Sequence, residues 1–380
     1  MKFKEIYLDN AATTKVDEQV LKAMNLYAKK YYANPSSKYV LGNLAKRAII
    51  GSKKFIADKI GAKPSEIIFT SGGTESNNLA LKGLFFANYL QKNHIITTKI
   101  EHDSILNVCK WLEKQGAKVT YLDVDKEGFV SLDDVNKSIT QKTFLVSVIH
   151  GNNEIGTIQN IETIGKLCKS KGILFHTDAC QSFTKVPINV NRQNIDLMTL
   201  NAHKIHGPKG VGALYVRDGI KIIPLLHGGG QEKGLRSGTE NVPGIVGFAK
   251  AVELVKQKDI DSMKKLRDKL IKELLKIEWV KLNGPMNDRL CNNINVSFKG
   301  IDGETLLAYL ERYGIYCSAG SACMSNTAEK SHVLKAIGLN EKEIESSLRI
   351  SLSRYNTQEE IIFFVGKVRE IVKKLRKVEI

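Results

Sequence analysis

Long apolar segments are what this sequence of 380 residues most clearly lacks. No run approaches the roughly 18 apolar residues that a membrane-spanning helix requires. The first ten residues, MKFKEIYLDN, contain no apolar signal region, so nothing indicates export. Internal repeats and low-complexity segments are also absent. We therefore expect a cytoplasmic globular protein with no membrane partner.

Cysteine pairs and metal-ligand spacings are missing as well. The six cysteines are Cys109, Cys168, Cys180, Cys291, Cys317 and Cys323, and no two of them have C-x-x-C spacing. A chain of this length needs no disulfides for stability, and the first four lie in or beside apolar runs, as small core residues do. His203 and His206 form an H-x-x-H pair without a third ligand, so no protein-only zinc site is expected.

Positive charge is abundant, with 57 Lys and Arg residues against 40 Asp and Glu residues and a formal net charge of +17. The basic residues are spread along the chain and are densest in residues 367–377. At helical spacing the apolar members of that segment form one stripe and the cations the opposite face. We interpret it as a solvated helix face. Docking of an acidic partner or of RNA is the alternative.

Short apolar strands alternate with helical segments along the first half of the chain. Near-continuous apolar strands such as residues 143–150 (TFLVSVIH) are typical of a parallel α/β sheet with both faces covered. The rest of the chain mixes helices and strands. We predict a large domain over residues 15–255 and a smaller α+β domain formed by residues 1–14 and 256–380. A helix that begins at Val242 and continues toward Leu275 would link them.

Polar residues follow several of the predicted strands. Thr74, His102, Asn153 and Asp178 each lie where a strand ends, and ligands of α/β sheets bind beyond the carboxyl ends of strands. In SGGTESNN (residues 71–78) a glycine turn leads from a strand into a helix, which is the outline of an anion site. The segment lacks the Gly-Lys-Ser/Thr ending of a P-loop and the pattern G-x-G-x-x-G. Taken singly, Thr74 or Asp178 can equally be a helix cap and His102 a loop histidine.

Lys204 lies in the segment NAHKIHGPKGVGALYV (residues 201–216), on a tight loop between two predicted strands. A phosphate cradle, a carboxylate, an aromatic polar ring and a lysine at one sheet edge are the requirements of pyridoxal phosphate. Gly73 and Thr74 would hold the phosphate and Asp178 the pyridinium nitrogen. Lys204 would form the Schiff base.

Motifs along the whole chain resemble those of cysteine desulfurases of the NifS/IscS type, in the class V branch of fold-type I pyridoxal-phosphate enzymes. The matching motifs are YLDNAATT (7–14), SGGTESNN (71–78), EH (101–102), NNEIG (152–156), HTDACQS (176–182), AHKIHGPKG (202–210), RSGTEN (236–241), SAGSAC (318–323) and SLRISLS (347–353). They occur in the order of the family. The resemblance implies the fold-type I transferase fold, with a mainly parallel sheet flanked by helices in the large domain.

The resemblance also implies a role for each matching residue. Lys204 would carry the covalent link to the cofactor, His102 would stack on its ring and move protons, and Cys323 would be the nucleophile. The cofactor-binding set would be Gly73, Thr74, His102, Asn153, Asp178, Gln181, Asn201, His203, Lys204 and, from the second subunit of a homodimer, Thr239. Asn153 and Arg349 would face the substrate carboxylate, which the arginine fork binds bidentately.

The implied reaction converts L-cysteine to L-alanine and leaves a persulfide on Cys323. Its loop of Ser, Ala and Gly residues suits a thiol that moves in and out of a pocket, and Cys317 is the competing candidate. The sulfur acceptor would be an iron–sulfur scaffold protein or a tRNA-thiolation enzyme. No resident metal is expected, although Cys323 is a candidate transient ligand of an iron–sulfur cluster held with a scaffold partner.

Two positions depart from the family pattern. Asn201 stands where the family usually has a serine that contacts the phosphate, and Lys330 stands where many relatives have a proline. The enzyme alternatives are a selenocysteine lyase or another class V pyridoxal-phosphate enzyme; an aminotransferase needs no nucleophilic thiol. The alternative outside enzymes is a basic scaffold protein that binds RNA or an assembly complex. Lys204, Asp178 and His102 argue against a purely binding role.

Overall fold

The computed structural model describes residues 5–319 and 330–378. The strands are β1 (Ile6–Tyr7), β2 (Ile67–Thr70), β3 (His94–Thr98), β4 (Lys118–Leu122), β5 (Thr143–Ser147), β6 (Leu174–Asp178), β7 (Leu197–Asn201), β8 (Gly212–Val216), β9 (Val280–Leu282), β10 (Asn293–Phe298), β11 (Ile315–Tyr316), β12 (Ser318–Ala319) and β13 (Ser347–Ser351). The α-helices are α1 (Glu18–Lys29), α2 (Val40–Ile60), α3 (Gly73–Asn88), α4 (Asp103–Glu113), α5 (Leu132–Ser138), α6 (Ile161–Ser170), α7 (Val242–Leu254), α8 (Gln257–Leu274), α9 (Gly303–Glu311), α10 (His332–Ala336), α11 (Glu341–Glu345) and α12 (Gln358–Val378).

The largest sheet has seven strands in the order β2-β8-β7-β6-β5-β3-β4. Strands β7, β6, β5, β3 and β4 pair in parallel, and β8 is antiparallel to both of its neighbours. Alternate residues of one strand face different apolar cores: Ile68 packs in one cluster, and Ile67 and Phe69 in the other. The predicted α/β architecture with a mainly parallel, helix-covered sheet is therefore confirmed.

A second sheet is antiparallel, in the order β12-β13-β10-β9, and has an apolar core of its own. Ile6 and Leu8 from the start of the chain pack in that core, together with residues of α8, α9 and α12. The packing places the beginning and the end of the chain side by side. The domain boundaries given above stay a prediction.

The predicted continuous helix from Val242 toward Leu275 was wrong. Val255 leaves the helical region of backbone space with φ −74° and ψ 122°, and α8 begins anew at Gln257. The Asp259 carboxylate accepts the N–H of Lys256 at 3.0 Å, and this local bond starts the second helix. Helix α3 begins at Gly73, inside the segment SGGTESNN.

Residues 9–14 run between the two sheets and connect them. The N–H of Asn10 donates to the carbonyl of Ser351 on β13. The N–H of Thr14 donates to the carbonyl of His203, which lies beyond the end of β7. This segment therefore positions the loop of Lys204 against the antiparallel sheet. Among the described helices, none has the length and apolar character needed to cross a membrane.

Candidate active site

A cavity of about 280 Å³ lies at the carboxyl end of the parallel strands. Ten of the twelve predicted site residues line it: Gly73, Thr74, His102, Asn153, Asp178, Gln181, Asn201, His203, Lys204 and Arg349. Thr239 is exposed and does not line this cavity, and Cys323 lies outside the described residues. Apart from Arg349, these residues are distant in sequence and meet here because they follow strands of the large sheet that end at one edge.

The loop of Lys204 is a compact turn between β7 and β8. The N–H groups of Ile205 and Gly207 both donate to the carbonyl of Ala202. A Cβ on Gly207 would come within 2.8 Å of that carbonyl oxygen, so the turn requires glycine there. The Lys204 ammonium donates to the carbonyls of Ala11 and Ala12, the latter at 2.6 Å. The tight turn on one side and the carbonyls of Ala11 and Ala12 on the other therefore hold this lysine at the cavity.

Asp178 and His102 belong to one hydrogen-bond network. The side-chain amide of Asn77 donates to Asp178 Oδ2 at 2.8 Å and to Ser104 Oγ at 2.7 Å. Ser104 Oγ lies 2.8 Å from His102 Nδ1, and Asp178 Oδ1 accepts the N–H of Cys180. Because Asp178 and Asn77 are buried, this network fixes both the carboxylate and the imidazole.

The partners of His102 determine its tautomer. The backbone N–H of Ser104 donates to Nδ1 at 3.1 Å, so in the neutral ring Nδ1 is the acceptor and Nε2 carries the proton. Burial lowers the pKa of His102, the positive charge of Lys204 adds to the effect, and the negative charge of Asp178 opposes it. The neutral imidazole therefore offers a donor at Nε2.

Backbone N–H groups and small residues form one end of the cavity. Helix α3 starts at Gly73 with no side chain capping it, which leaves the positive end of the helix open toward an anion. A Cβ on Gly73 would come within 2.7 Å of Cys180 Sγ, so only glycine fits. His203 and the buried Asn201 lie nearby, and burial lowers the pKa of His203 to about 4.

Arg349 enters from the antiparallel sheet, on β13, and its side chain is only 2% exposed. Its Nη2 forms an ion pair with Asp9 Oδ1 at 2.9 Å and lies 3.4 Å from Ser318 Oγ. Nη1 makes a long contact of 3.5 Å with the carbonyl of Asn153, and the buried Nε has no partner among the described residues. A buried donor of this kind is suited to an anionic ligand.

Gln181 and Glu101 complete the surroundings. The Gln181 amide donates to the carbonyl of Ala11 at 2.9 Å, which is one of the carbonyls that bind Lys204. Glu101, just before His102, accepts from Thr98 and from the N–H of Ile149. Burial raises the pKa of Glu101 to about 8. No group of three or more His, Cys, Asp or Glu side chains in the described ranges is arranged to hold a metal.

Sequence reasoning missed Asn77, Ser104 and the pairing of Asp9. Asn77 and Ser104 stand in or next to the motifs SGGTESNN and EH, but their link between Asp178 and His102 joins residues up to 101 positions apart. Asp9 stands in the motif YLDNAATT, and its carboxylate binds the guanidinium of Arg349, 340 positions away. In the sequence, only the closeness of these motifs to the ends of predicted strands indicates that the three residues belong to the site.

Comparison with known proteins assigns this chain to a family. The model of the family "Aminotransferase class-V" matches residues 6–364. The chain belongs to that family. It is 52% identical to the cysteine desulfurase IscS of Methanosarcina thermophila over 98% of this chain and 93% of that protein. It is 48% identical to the IscS of Dictyoglomus turgidum over 99% and 96% of the two chains.

Two solved structures share the fold of this chain. A structure named NIFS-like protein superposes with a TM-score of 0.91 at 41% identity, covering 97% of this chain and all of that one. A structure described as SspA in complex with cysteine superposes with a TM-score of 0.84 at 42% identity, covering 93% and 100%. Fold-type I architecture, predicted from the motifs, is thereby confirmed.

Enzymes of this class depend on pyridoxal phosphate, and the cavity residues fit that cofactor. Gly73 leaves room for a phosphate at an uncapped helix start. Asp178 is buried and faces the same space as Lys204, as a carboxylate opposite a pyridinium nitrogen must. The Nε of Arg349, which has no partner in the part of the chain that the structure describes, adds a donor for an anionic substrate group. These donors and acceptors match a phosphate, a ring nitrogen and a carboxylate in one cavity.

Proposed function

We propose that this protein is a pyridoxal-phosphate-dependent cysteine desulfurase, which converts L-cysteine to L-alanine and transfers the sulfur to Cys323. The observation that carries the proposal is the single cavity that brings together Lys204, His102, Asp178 and Arg349. The relatives named cysteine desulfurase that align along nearly the whole chain support it.

The cofactor would be held at three points. Gly73, Thr74, Asn201 and His203 would bind the phosphate, Asp178 the ring nitrogen and Gln181 the ring hydroxyl. Bound pyridoxal phosphate supplies an electron sink for negative charge at the substrate α-carbon. Asn77 donates to Asp178 Oδ2 and fixes the orientation of the carboxylate that would hold the ring nitrogen.

The protein residues bind the substrate and move its protons. Arg349 binds the carboxylate of L-cysteine, with Asn153 beside it. Lys204 takes the proton from the α-carbon of the substrate. The carbonyls of Ala11 and Ala12 are positioned to hold the resulting ammonium. His102 contributes the proton on Nε2, because its Nδ1 is engaged by Ser104.

The sulfur is transferred directly from the substrate to Cys323. The thiolate of Cys323 attacks the sulfur of the substrate, the carbon–sulfur bond breaks and a sulfur–sulfur bond forms. The substrate β-carbon keeps the bonding electron pair and gains a proton, and the proton that Lys204 took is returned to the α-carbon, which yields L-alanine. The persulfide on Cys323 then passes its sulfur to an acceptor, which is either an iron–sulfur scaffold protein or a tRNA-thiolation enzyme. When the acceptor is a scaffold protein, Cys323 would transiently ligate the cluster.

A homodimer and a cytoplasmic location complete the proposal. Exposed apolar side chains on and near α2, among them Val40 at 74% and Phe55 at 52% exposed, support burial against a second copy. Thr239 lies on an exposed segment, from which it would reach the phosphate of the partner subunit. The described cysteines are all free thiols, as in a reducing compartment.

The test is release of alanine and sulfide from L-cysteine by the purified protein with pyridoxal phosphate and a reductant. We expect equal amounts of both products, and neither from Lys204→Ala. Cys323→Ser should bind the cofactor and release no sulfide. Full sulfide release by Cys323→Ser contradicts the assignment of the nucleophile. Activity with selenocysteine alone favours the selenocysteine lyase instead.

A further inference from the structure

A groove on the antiparallel sheet lies apart from the active site and shares no lining residue with it. It has a volume of about 630 Å³ and runs between the strands β9 and β10 on one side and helix α11 on the other. Trp279, Lys281 and Lys299 line the strand side, and Lys342 and Glu343 the helix side. The proposed reaction gives none of these residues a role.

Trp279 is an unusual residue for this position. Its backbone has φ 59°, in the left-handed region that bulky residues rarely adopt. The N–H of Val280 donates to the carbonyl of Ile277 and closes a four-residue turn. Trp279 is the third residue of that turn, and a positive φ at this position favours Gly or Asn. Its side chain is nevertheless 59% exposed. Strain combined with an exposed aromatic ring indicates a contact residue, because Trp is enriched among the residues that contribute most of the binding energy at interfaces.

The edge of the sheet next to this groove has backbone groups that point away from the neighbouring strand. Strand β9 is the last strand on its side of the described sheet. The carbonyl of Trp279 accepts from Lys299, and the N–H of Asn283 donates to Asn295, both across to β10. By the alternation of antiparallel pairing, Leu282 directs its N–H and C=O away from β10. An extended chain can therefore add to β9.

The charge of the groove determines the chemistry of its occupant. Three lysines face a single glutamate, and the Glu343 oxygens are engaged by the N–H of Asn340 and by Lys281. The Lys299 ammonium lies 4.8 Å from the centre of the Trp279 ring, so cation and aromatic surface are adjacent. A second copy of this chain, with a formal charge of +17, is a poor match.

We propose that this groove docks an extended acidic segment of a partner protein, which adds to the edge of β9 and covers Trp279. Main-chain pairing supplies affinity, the three lysines bind the carboxylates and Trp279 anchors an apolar side chain. The free strand edge favours a polypeptide over RNA, because nucleic acids make no ladder with a sheet. The proposal is independent of the reaction assigned to the active site.

The two tryptophans of the chain allow a direct measurement. In the holoenzyme carrying Trp111→Phe, Trp279 is the sole tryptophan and reports its own environment. Random 12-residue peptides displayed on phage are selected on the immobilised wild-type holoenzyme, and the recovered peptides are synthesised as probes. We expect acidic peptides that shift the Trp279 emission to the blue and slow amide exchange at Leu282. An oligouridine of 12 nucleotides should cause no shift.

Charge reversal supplies the matched control. Lys281→Glu with Lys342→Glu should weaken peptide binding at least 10-fold. Lys110→Glu with Lys114→Glu, beside the other exposed tryptophan, should leave it unchanged. The proposal fails if no selected peptide depends on Trp279, if the peptides act equally on both variants, or if oligouridine alone shifts the emission.

Replacement of Trp279 itself separates docking from folding. Asn suits a left-handed turn position, so Trp279→Asn should keep the melting temperature at or above that of wild type while peptide affinity falls at least 10-fold. A clear loss of melting temperature would identify Trp279 as a structural residue and would overturn the argument from strain.

Discussion

The two walls of the catalytic cavity are built differently. On the wall formed by the seven-stranded sheet, Asp178 and His102 are joined through the neutral side chains of Asn77 and Ser104. On the opposite wall, the antiparallel sheet presents the buried ion pair of Arg349 with Asp9. The first wall suits a cofactor that must be held at a fixed angle, and the second suits a charged substrate group that comes and goes.

Separate apolar cores support the two walls. Residues of the strands that carry Asp178 and Asn201 pack in the clusters of the large sheet, whereas Leu348 and Ile350 beside Arg349 pack in the cluster of the antiparallel sheet. Residues 9–14 connect the walls, since Asp9 binds Arg349 and the Ala11 carbonyl binds Lys204. We infer that chemistry and substrate recognition can be damaged independently, and the following variants test this.

Lys204→Ala should reduce activity more than any other variant. It alters the wall formed by the seven-stranded sheet, which we assign to the cofactor. The variant removes the amine to which we assign removal of the α-proton, so kcat should fall by roughly four orders of magnitude or more. Steady-state alanine release measures the loss. Lys209→Ala, an exposed lysine of the same loop, is the control and should keep nearly full activity. Comparable losses in both variants would contradict a specific role for Lys204.

Arg349→Ala should damage recognition and spare chemistry. Loss of a charge-assisted, bidentate contact should lower kcat/KM about 100-fold, chiefly through KM. Arg349→Lys keeps the charge but loses the fork, so it should recover only part of this loss. Initial rates over a range of L-cysteine concentrations separate KM from kcat. An unchanged KM with a reduced kcat would show that the two walls are not independent.

Asp9→Asn should have a smaller effect on the same wall. The neutral amide keeps a contact near Arg349 Nη2 but removes the charge that orients the guanidinium, so we expect KM for L-cysteine to rise about 10-fold. The value of kcat should change less than about 3-fold. Ser318→Ala, which removes a contact of 3.4 Å to the same Nη2, is the matched control with little expected change. A KM below that of wild type would mean that Asp9 competes with substrate.

Glu101→Gln should alter the pH dependence of stability more than activity. Burial raises the pKa of Glu101 to about 8, so between about pH 4.5 and 8 the folded state binds a proton that the unfolded state releases. In the wild type this group makes stability fall as pH rises through that window, by at most about 1.4 kcal/mol per pH unit. Glutamine cannot titrate, so this part of the slope should vanish.

Chemical unfolding at several pH values between 5 and 8 measures that slope. Glu113→Gln, an exposed residue of α4, should reproduce the wild-type curve. Identical slopes in Glu101→Gln and wild type would contradict a raised pKa at Glu101.

Much of this site could be predicted from local patterns. Thr74, His102, Asn153 and Asp178 follow apolar strands, and an apolar strand that ends in polar residues is visible in the chain itself. The sequence predicts a turn at Lys204 because Gly207, Pro208 and Gly210 follow it closely. The break at Val255 was missed, since residues on both sides have helical periodicity and only the bond from Lys256 to Asp259 divides them.

The sequence by itself determined the α/β class, the family and the residue types of the chemistry, because these depend on period, composition and short motifs. Tertiary structure alone decided that Asn77 and Ser104 join Asp178 to His102, that Asp9 pairs with Arg349, and that Trp279 remains exposed beside an open strand edge. Such contacts join residues up to 340 positions apart, and their geometry is set by how the two sheets pack, which no local pattern encodes.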